Sequence, residues 1–185
     1  MTLKQVKHEK IILTVAAVFA FGFANAQEAT SDNGGQTAKG NLLIEANTGF
    51  AETGSTGIYF ASQDGNSSYN FGVDGGYFIM DDLALKVGLG YGGFKNDDFD
   101  SNTLSYKIGA KYYVMSKFPV GLDLTGASIK DADENPLWLG IQGGYALFLG
   151  KNVAIEPGIR YNHSLNDNYT DKGVFQVNVG FSLFF

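Results

Sequence analysis

The chain closes on GVFQVNVGFSLFF, Gly173–Phe185, and this stretch decides the fold. Phe175, Val177, Val179, Phe181, Leu183 and Phe185 take every second position, and all are large and apolar. Gln176, Asn178, Gly180 and Ser182 lie between them, polar or small. Successive side chains of a β-strand point to opposite faces, whereas a helix repeats every ~3.6 residues. A period of two therefore predicts a strand that is greasy on one side and wet on the other.

Upstream, the same pattern recurs seven times after Gly40. NLLIEANTGF sets Leu42, Ile44, Ala46, Thr48 and Phe50 against Leu43, Glu45, Asn47 and Gly49. SSYNFGVDGGYFI sets Tyr69, Phe71, Val73, Tyr77 and Ile79 against Ser68, Asn70, Gly72, Asp74 and Gly76. LALKVGLGYGGF places Lys86 among Ala84, Gly88 and Gly90, opposite Leu85, Val87, Leu89 and Tyr91. TLSYKIGAKYYV places Lys107 and Lys111 opposite Tyr106, Ile108 and Tyr112. VGLDLTGAS carries Asp123 opposite Val120, Leu122 and Leu124. LWLGIQGGYALFL sets Trp138, Gly140 and Gln142 against Leu139 and Ile141, and VAIEPGIRYN sets Glu156 and Arg160 against Ile155 and Ile159. Short connections (Met80–Asp82, Met115–Pro119, Gly150–Asn152) alternate with long ones (Ala51–Ser67, Lys95–Asn102, Ile129–Pro136, Ser164–Lys172). Eight strands with short turns on one rim and long loops on the other predict an all-β, eight-stranded antiparallel up-and-down barrel.

Three features predict that the apolar face looks outward, making the barrel transmembrane. The apolar set is bulky, and an eight-stranded interior is only just wide enough for side chains. The opposite set is mostly Gly, Ser, Asn and Thr, which fit. Its charges also balance, with Glu45, Asp74, Asp123 and Glu156 facing Lys86, Lys107, Lys111 and Arg160. An enclosed lumen requires that balance, because unpaired buried charge costs several kcal/mol. Counting back from the Met115–Pro119 turn places Lys111 near Asp123. Finally, Phe50, Tyr69, Tyr91 and Phe94 fall towards the long-loop rim, and Tyr77, Tyr112, Phe181 and Phe185 towards the short-turn rim. Two aromatic girdles are the mark of a barrel crossing a bilayer. Pro157 breaks the pattern, since it cannot donate a ladder hydrogen bond. A bulge, a bend or poor pairing is expected around it.

The chain of 185 residues is one domain's length, with 44% apolar residues, 25 Gly and no Cys. Without Cys there are no disulfides and no thiolate metal sites. A formal charge of −6 lacks the basic footprint of nucleic-acid binding. Mean hydropathy near zero excludes a helical membrane bundle. Lys4, Lys7 and Lys10, the apolar run IILTVAAVFAFGF and the small-x-small end Ala24–Asn25–Ala26 predict a signal peptide over residues 1–26. Its removal takes away three Lys and one Glu and leaves an exported, more acidic product. Residues 27–40, polar and Gly-rich, read as a flexible periplasmic lead-in, and 41–185 as the barrel.

The terminal FQVNVGFSLFF, the tight turn within GGYFIMDDLALKVGLGYGG and the loop alternation resemble the small outer-membrane barrels of the OmpA/OmpX type, over about Asn41–Phe185. The resemblance implies a Gram-negative outer membrane and periplasmic termini. It also implies that Val179, Phe181, Leu183 and Phe185 form the signal read by the barrel-assembly machinery. Membrane lipid and lipopolysaccharide are the implied surroundings, with extracellular partners met through the loops.

Catalytic residues are not expected. His163–Ser164 resembles a lipid A deacylase's His-x-Ser motif only superficially, with the spacing off by one and no acidic partner. The acidic loops Asn96–Asn102 and Asp131–Asn135 offer oxygen ligands for a divalent cation but not EF-hand spacing. No cofactor motif is present, and the glycine runs precede no helix that would cradle phosphate. The sequence therefore predicts a structural, surface-display or adhesion role, with the lumen closed by its own charged and polar side chains. A small pore, a lipid A-modifying enzyme and a soluble secreted ligand-binding barrel stay open as rivals. The first long loop carries Ile58, Tyr59 and Phe60, which offer a sheet edge above the membrane.

Overall fold

The two-faced segments curl into a single closed antiparallel sheet. The structure, a computed structural model, describes residues 35–49, 53, 56–96 and 100–185. The predicted signal peptide, most of the lead-in, Phe50, Asp97 and Asp98 lie outside the described residues. In chain order the strands are β1 (Leu42–Asn47), β2 (Ile58–Gln63), β3 (Asn66–Met80), β4 (Leu83–Lys95) and β5 (Asp100–Val114). They continue with β6 (Phe118–Ile129), β7 (Leu137–Gly144), β8 (Leu147–Phe148), β9 (Val153–Ser164) and β10 (Val174–Phe184). These segments make eight staves, because β1 and β2 share one and β7 and β8 share another. The barrel closes where β10 returns to β1, from Leu43↔Phe184 to Asn47↔Gly180.

The first stave differs from the sequence expectation. The stretch Asn41–Phe50 was expected to run as one strand into a long loop, but β1 stops at Asn47 and pairs with β3 only from Leu42↔Tyr77 to Glu45↔Asp74. The chain then enters the lumen, where Thr53 and Thr56 are buried. It re-emerges as β2, which pairs with the upper part of β3 from Ile58↔Phe71 to Gln63↔Asn66. Gly72 permits this route, since a Cβ there would lie 2.8 Å from the Thr56 Cα. The β2–β3 connection is a two-residue turn at Asp64 (φ 49°) and Gly65 (φ 80°). Positive φ at both centres is the hairpin geometry whose twist matches the flanking strands.

Pro157 perturbs its neighbour more than its own strand. β9 and β10 stay in register through Val179↔Pro157. On the other side, Tyr145 N–H donates to the Pro157 carbonyl at 3.0 Å, but the proline returns no hydrogen bond. The stave therefore breaks between β7 and β8, and buried Ala146 donates its N–H to the Lys117 carbonyl at 2.7 Å.

The lead-in, expected to be flexible, is tied down over its described part. Thr37 Oγ1 donates to Asp82 Oδ1 at 2.5 Å, Lys39 N–H to Asp81 Oδ1 at 2.8 Å and Gly40 N–H to the Phe78 carbonyl at 2.8 Å. Gly35–Asn41 thus lies against the short-turn rim.

Candidate functional site

Among the described residues the lumen gathers the buried charges of the strands and an aromatic cluster, stacked in three layers. The lowest, at the short-turn rim, is apolar. Leu43, Phe78, Tyr113, Ala146, Ala154 and Phe184 pack there as one buried cluster. The rings of Phe78, Tyr113 and Phe184 lie 6.0–6.3 Å apart, within the range of favourable aromatic pairing. This layer corrects the expectation of a lumen closed by charged and polar side chains alone. Phe78 and Phe184 occupy inward positions between outward neighbours, so the alternation itself contained them.

Above the aromatics runs a continuous chain of charges. Tyr113 Oη donates to Glu156 Oε1 at 2.8 Å. Lys111 Nζ bridges Glu156 and Glu45. Lys86 Nζ reaches Glu45 Oε1 and Asp74 Oδ2, each at 2.9 Å. Lys107 Nζ lies 3.1 Å from Asp74 Oδ2, and Thr56 donates to the other Asp74 oxygen. Three ammonium groups meet three carboxylates, all buried. The carboxylates come from β1, β3 and β9 and the lysines from β4 and β5, so the network spans the barrel's interior. The glycines of β4 make room for it; a Cβ at Gly88 would sit 2.1 Å from Asp74 Oδ1.

A separate ion pair crosses the upper lumen. Arg160 grips Asp123 through its two terminal guanidinium nitrogens, at 2.7 and 2.5 Å. Its Nε donates to Asn162 Oδ1 at 2.8 Å and its Nη1 to Gln142 Oε1 at 3.2 Å. The Asn162 amide continues to Gln176 at 2.9 Å, and Gln176 Nε2 donates to Thr53 Oγ1 at 3.2 Å. Thr125 holds the Thr53 carbonyl at 3.0 Å. The expected Lys111–Asp123 proximity is corrected. Register sets Asp123 opposite Gly109 and Lys111 opposite Gly121, so each finds its partner across the lumen instead.

The outer surface is the inverse of the lumen. Phe71, Leu85, Val87, Ile108, Leu122, Leu124, Ile141 and Ile159 are all exposed, with Ile108 62% accessible, while all eight charges read from the strands are buried. Water would drive those side chains inward and the charges outward; only acyl chains reverse the preference. This is a transmembrane β-barrel. Tyr91 and Phe94 stand exposed towards one rim of it, and Tyr77, Tyr112, Phe181 and Phe185 towards the other.

No family model matches the barrel's sequence, and no curated protein does. Solved structures with a similar fold include the N-terminal β-barrel domain of Pseudomonas aeruginosa OprF, at 18% identity and TM-score 0.45, covering 80% of this chain and 98% of that one. Yersinia pestis Ail is similar at 14% identity and TM-score 0.45, over 78% and 97%. The P. aeruginosa outer membrane protein OprG is similar at 13% identity and TM-score 0.46, over 80% and 97%.

The remaining sequence candidates fall apart in space. His163 is exposed and Ser164 buried, so strand alternation points them to opposite faces of the wall. They do not form a nucleophile–base pair. Among the described residues no three His, Asp or Glu side chains gather as metal ligands. Glu134 instead accepts from the Asn166 amide at 3.2 Å, tying two long loops together. Val179, Phe181 and Phe185 face outward with Leu183 partly covered beside them. Sequence reading placed Asn162 and Gln176 on the inward face but missed Thr53, Thr56 and Tyr113 as lumen residues. Asp64–Gly65, a hairpin signal between two alternating runs, was the available clue to the inward turn before it.

Proposed function

We propose that this chain is a non-enzymatic integral barrel of a Gram-negative outer membrane, with a structural, surface-display or adhesion role and a lumen closed to solutes. The observation that carries the reading is the lumen's own filling. An aromatic layer, a neutral ion-pair chain and the Arg160–Asp123 clamp lie in series. Any one of them obstructs a tube of eight strands, which has little interior to spare. An aqueous passage needs far wider barrels, of about 16–18 strands.

Both ends of the described chain leave from the short-turn rim, which supports periplasmic termini, lipopolysaccharide around the opposite rim and extracellular loops. The β2–β3 hairpin extends the sheet past the girdle and exposes Ile58 and Phe60, an edge suited to an extracellular partner. The outward row Val179, Phe181, Leu183 and Phe185 suits the assembly-machinery signal that the resemblance implies. Cell fractionation with heat-modifiable gel mobility tests the membrane assignment: recovery with outer membranes and faster migration of unheated protein are expected. Protein that stays soluble without detergent and fails to float with membranes overturns it.

A further inference from the structure

The described lead-in crosses the short-turn mouth of the barrel. Gln36 Nε2 donates to the Gly150 carbonyl at 3.2 Å, in the turn between β8 and β9. The next residue is anchored to the turn between β3 and β4. Thr37 Oγ1 donates to Asp82 Oδ1 at 2.5 Å, and Asp82 N–H donates back to the Thr37 carbonyl at 2.7 Å. Those two turns stand on opposite walls. Round the closed sheet, β4, β5, β6 and the β7–β8 stave separate them on one side, and β3, β1, β10 and β9 on the other. Ser116, in the turn between β5 and β6, donates to Asp82 Oδ2 at 3.2 Å. One strap therefore gathers all three short turns, and its Thr37 is buried.

The strap is folded in its own right. Ala38 N–H donates to the Gly35 carbonyl at 3.0 Å, and the Asn41 amide donates to the carbonyls of Gly35 and Gln36 at 3.2 and 3.0 Å. It also runs directly into the strand that closes the barrel. Gly40 N–H donates to the Phe78 carbonyl at 2.8 Å, Phe78 N–H donates to the Asn41 carbonyl at 3.0 Å, and β1 begins at Leu42. β1 has six residues, paired with β10 from Leu43↔Phe184 to Asn47↔Gly180 and with β3 from Leu42↔Tyr77 to Glu45↔Asp74. The neighbouring β3–β4 ladder is far longer, from Ser67↔Lys95 to Met80↔Leu83.

The placement of the anchors couples the strap to closure. Bringing two distant points of a chain together costs conformational entropy. On an open sheet Gly150 and Asp82 have no fixed separation, so docking the strap on both carries that cost. Once β10 has met β1, the two anchors face each other and docking becomes local. Coupling between two equilibria is reciprocal, so whatever closure contributes to docking, docking contributes to closure. We propose that Gly35–Asn41 is a closure latch, which docks across the completed barrel and holds the β1–β10 seam shut. This concerns the seam alone and is independent of the barrel's role at the cell surface.

Hydrogen exchange read by peptide mass spectrometry, on protein refolded into phosphatidylcholine vesicles, tests the latch. Gln36→Ala with Thr37→Val removes both side-chain anchors. Exchange of the Leu43–Asn47 amides is expected to quicken at least five-fold, while the amides of β5 and β6 keep their rates. Thr37→Val alone, which preserves the shape of the buried side chain, is expected to quicken it at least two-fold and serves should the double variant fail to fold. Ile44→Cys with Leu183→Cys places a directly opposed pair on the seam of a chain that has no other Cys. Once that pair is oxidised, the anchor substitutions are expected to leave the Leu43–Asn47 rates unchanged, because a covalent seam needs no latch. Quickening that persists in the oxidised barrel overturns the inference. So does quickening confined to Gly35–Asn41, or spread equally over every strand.

Discussion

At the scale of single residues, function follows from how charge is hidden. Lys111 is the one lysine shared by Glu45 and Glu156, and it is 1% accessible. Removing one partner of a buried ion pair costs roughly 3–5 kcal/mol, because the survivors remain desolvated. Lys111→Met is therefore expected to destabilise the barrel by about that amount in urea titrations from lipid vesicles. Adding Glu156→Gln, which restores neutrality, is expected to recover most of it; no recovery would show that packing, not charge, is at stake. Gly140 has a different task. A Cβ there would lie 1.9 Å from Arg160 Nη2. Gly140→Val is expected to push the guanidinium off Asp123 and cost about 1–3 kcal/mol, the usual range for overpacking, read by the same titration. The sequence placed all eight charges on one face through a simple alternation. It did not pair them, because partners across a lumen depend on barrel diameter and stave register.

At the scale of elements, hairpins and layers set the wall. Asp64–Gly65 turns β2 back onto β3 with both residues in the left-handed region. Ala at Gly65 adds a left-handed cost of roughly 1–2 kcal/mol. Gly65→Ala is expected to speed hydrogen exchange of the Ile58–Gln63 amides while leaving those of β5 and β6 unchanged. Equal acceleration throughout the barrel would contradict an independent hairpin. The two terminal phenylalanines separate packing from recognition. Phe184 is buried against Phe78, Tyr113 and Phe148, whereas Phe185 is exposed. Phe184→Ala is expected to cost about 3–5 kcal/mol, as for other buried aromatics. Phe185→Ala is expected to change stability little yet to lower the yield of assembled barrel in cells, scored by heat-modifiable mobility. Pro157 was legible as a disturbance, but its effect appears in β7 and β8, since the missing donor is felt by the strand opposite.

At the scale of the whole molecule, three layers of side chains lie in series along the lumen, and the proposed function has them close it to solutes. Planar bilayers containing the wild-type protein are expected to show no conductance steps. Arg160→Ser is expected to stay silent as well, because the Lys111 network and the Phe78–Tyr113–Phe184 layer still fill the tube beneath it. Steps appearing on that single change would mean that the clamp alone closes the lumen.

What the sequence determined by itself is the inside-out barrel: side-chain direction along a strand has period two, and period is a local property that the order of residues displays directly. Strand number, loop alternation and the neutral lumen follow from reading that period along the chain. Only the tertiary structure decided which charges meet, that the first stave dives inward at Asn47, and that an aromatic layer seals the short-turn rim. Those outcomes depend on register and on the space left between opposite walls, and both exist only once the last strand has closed on the first.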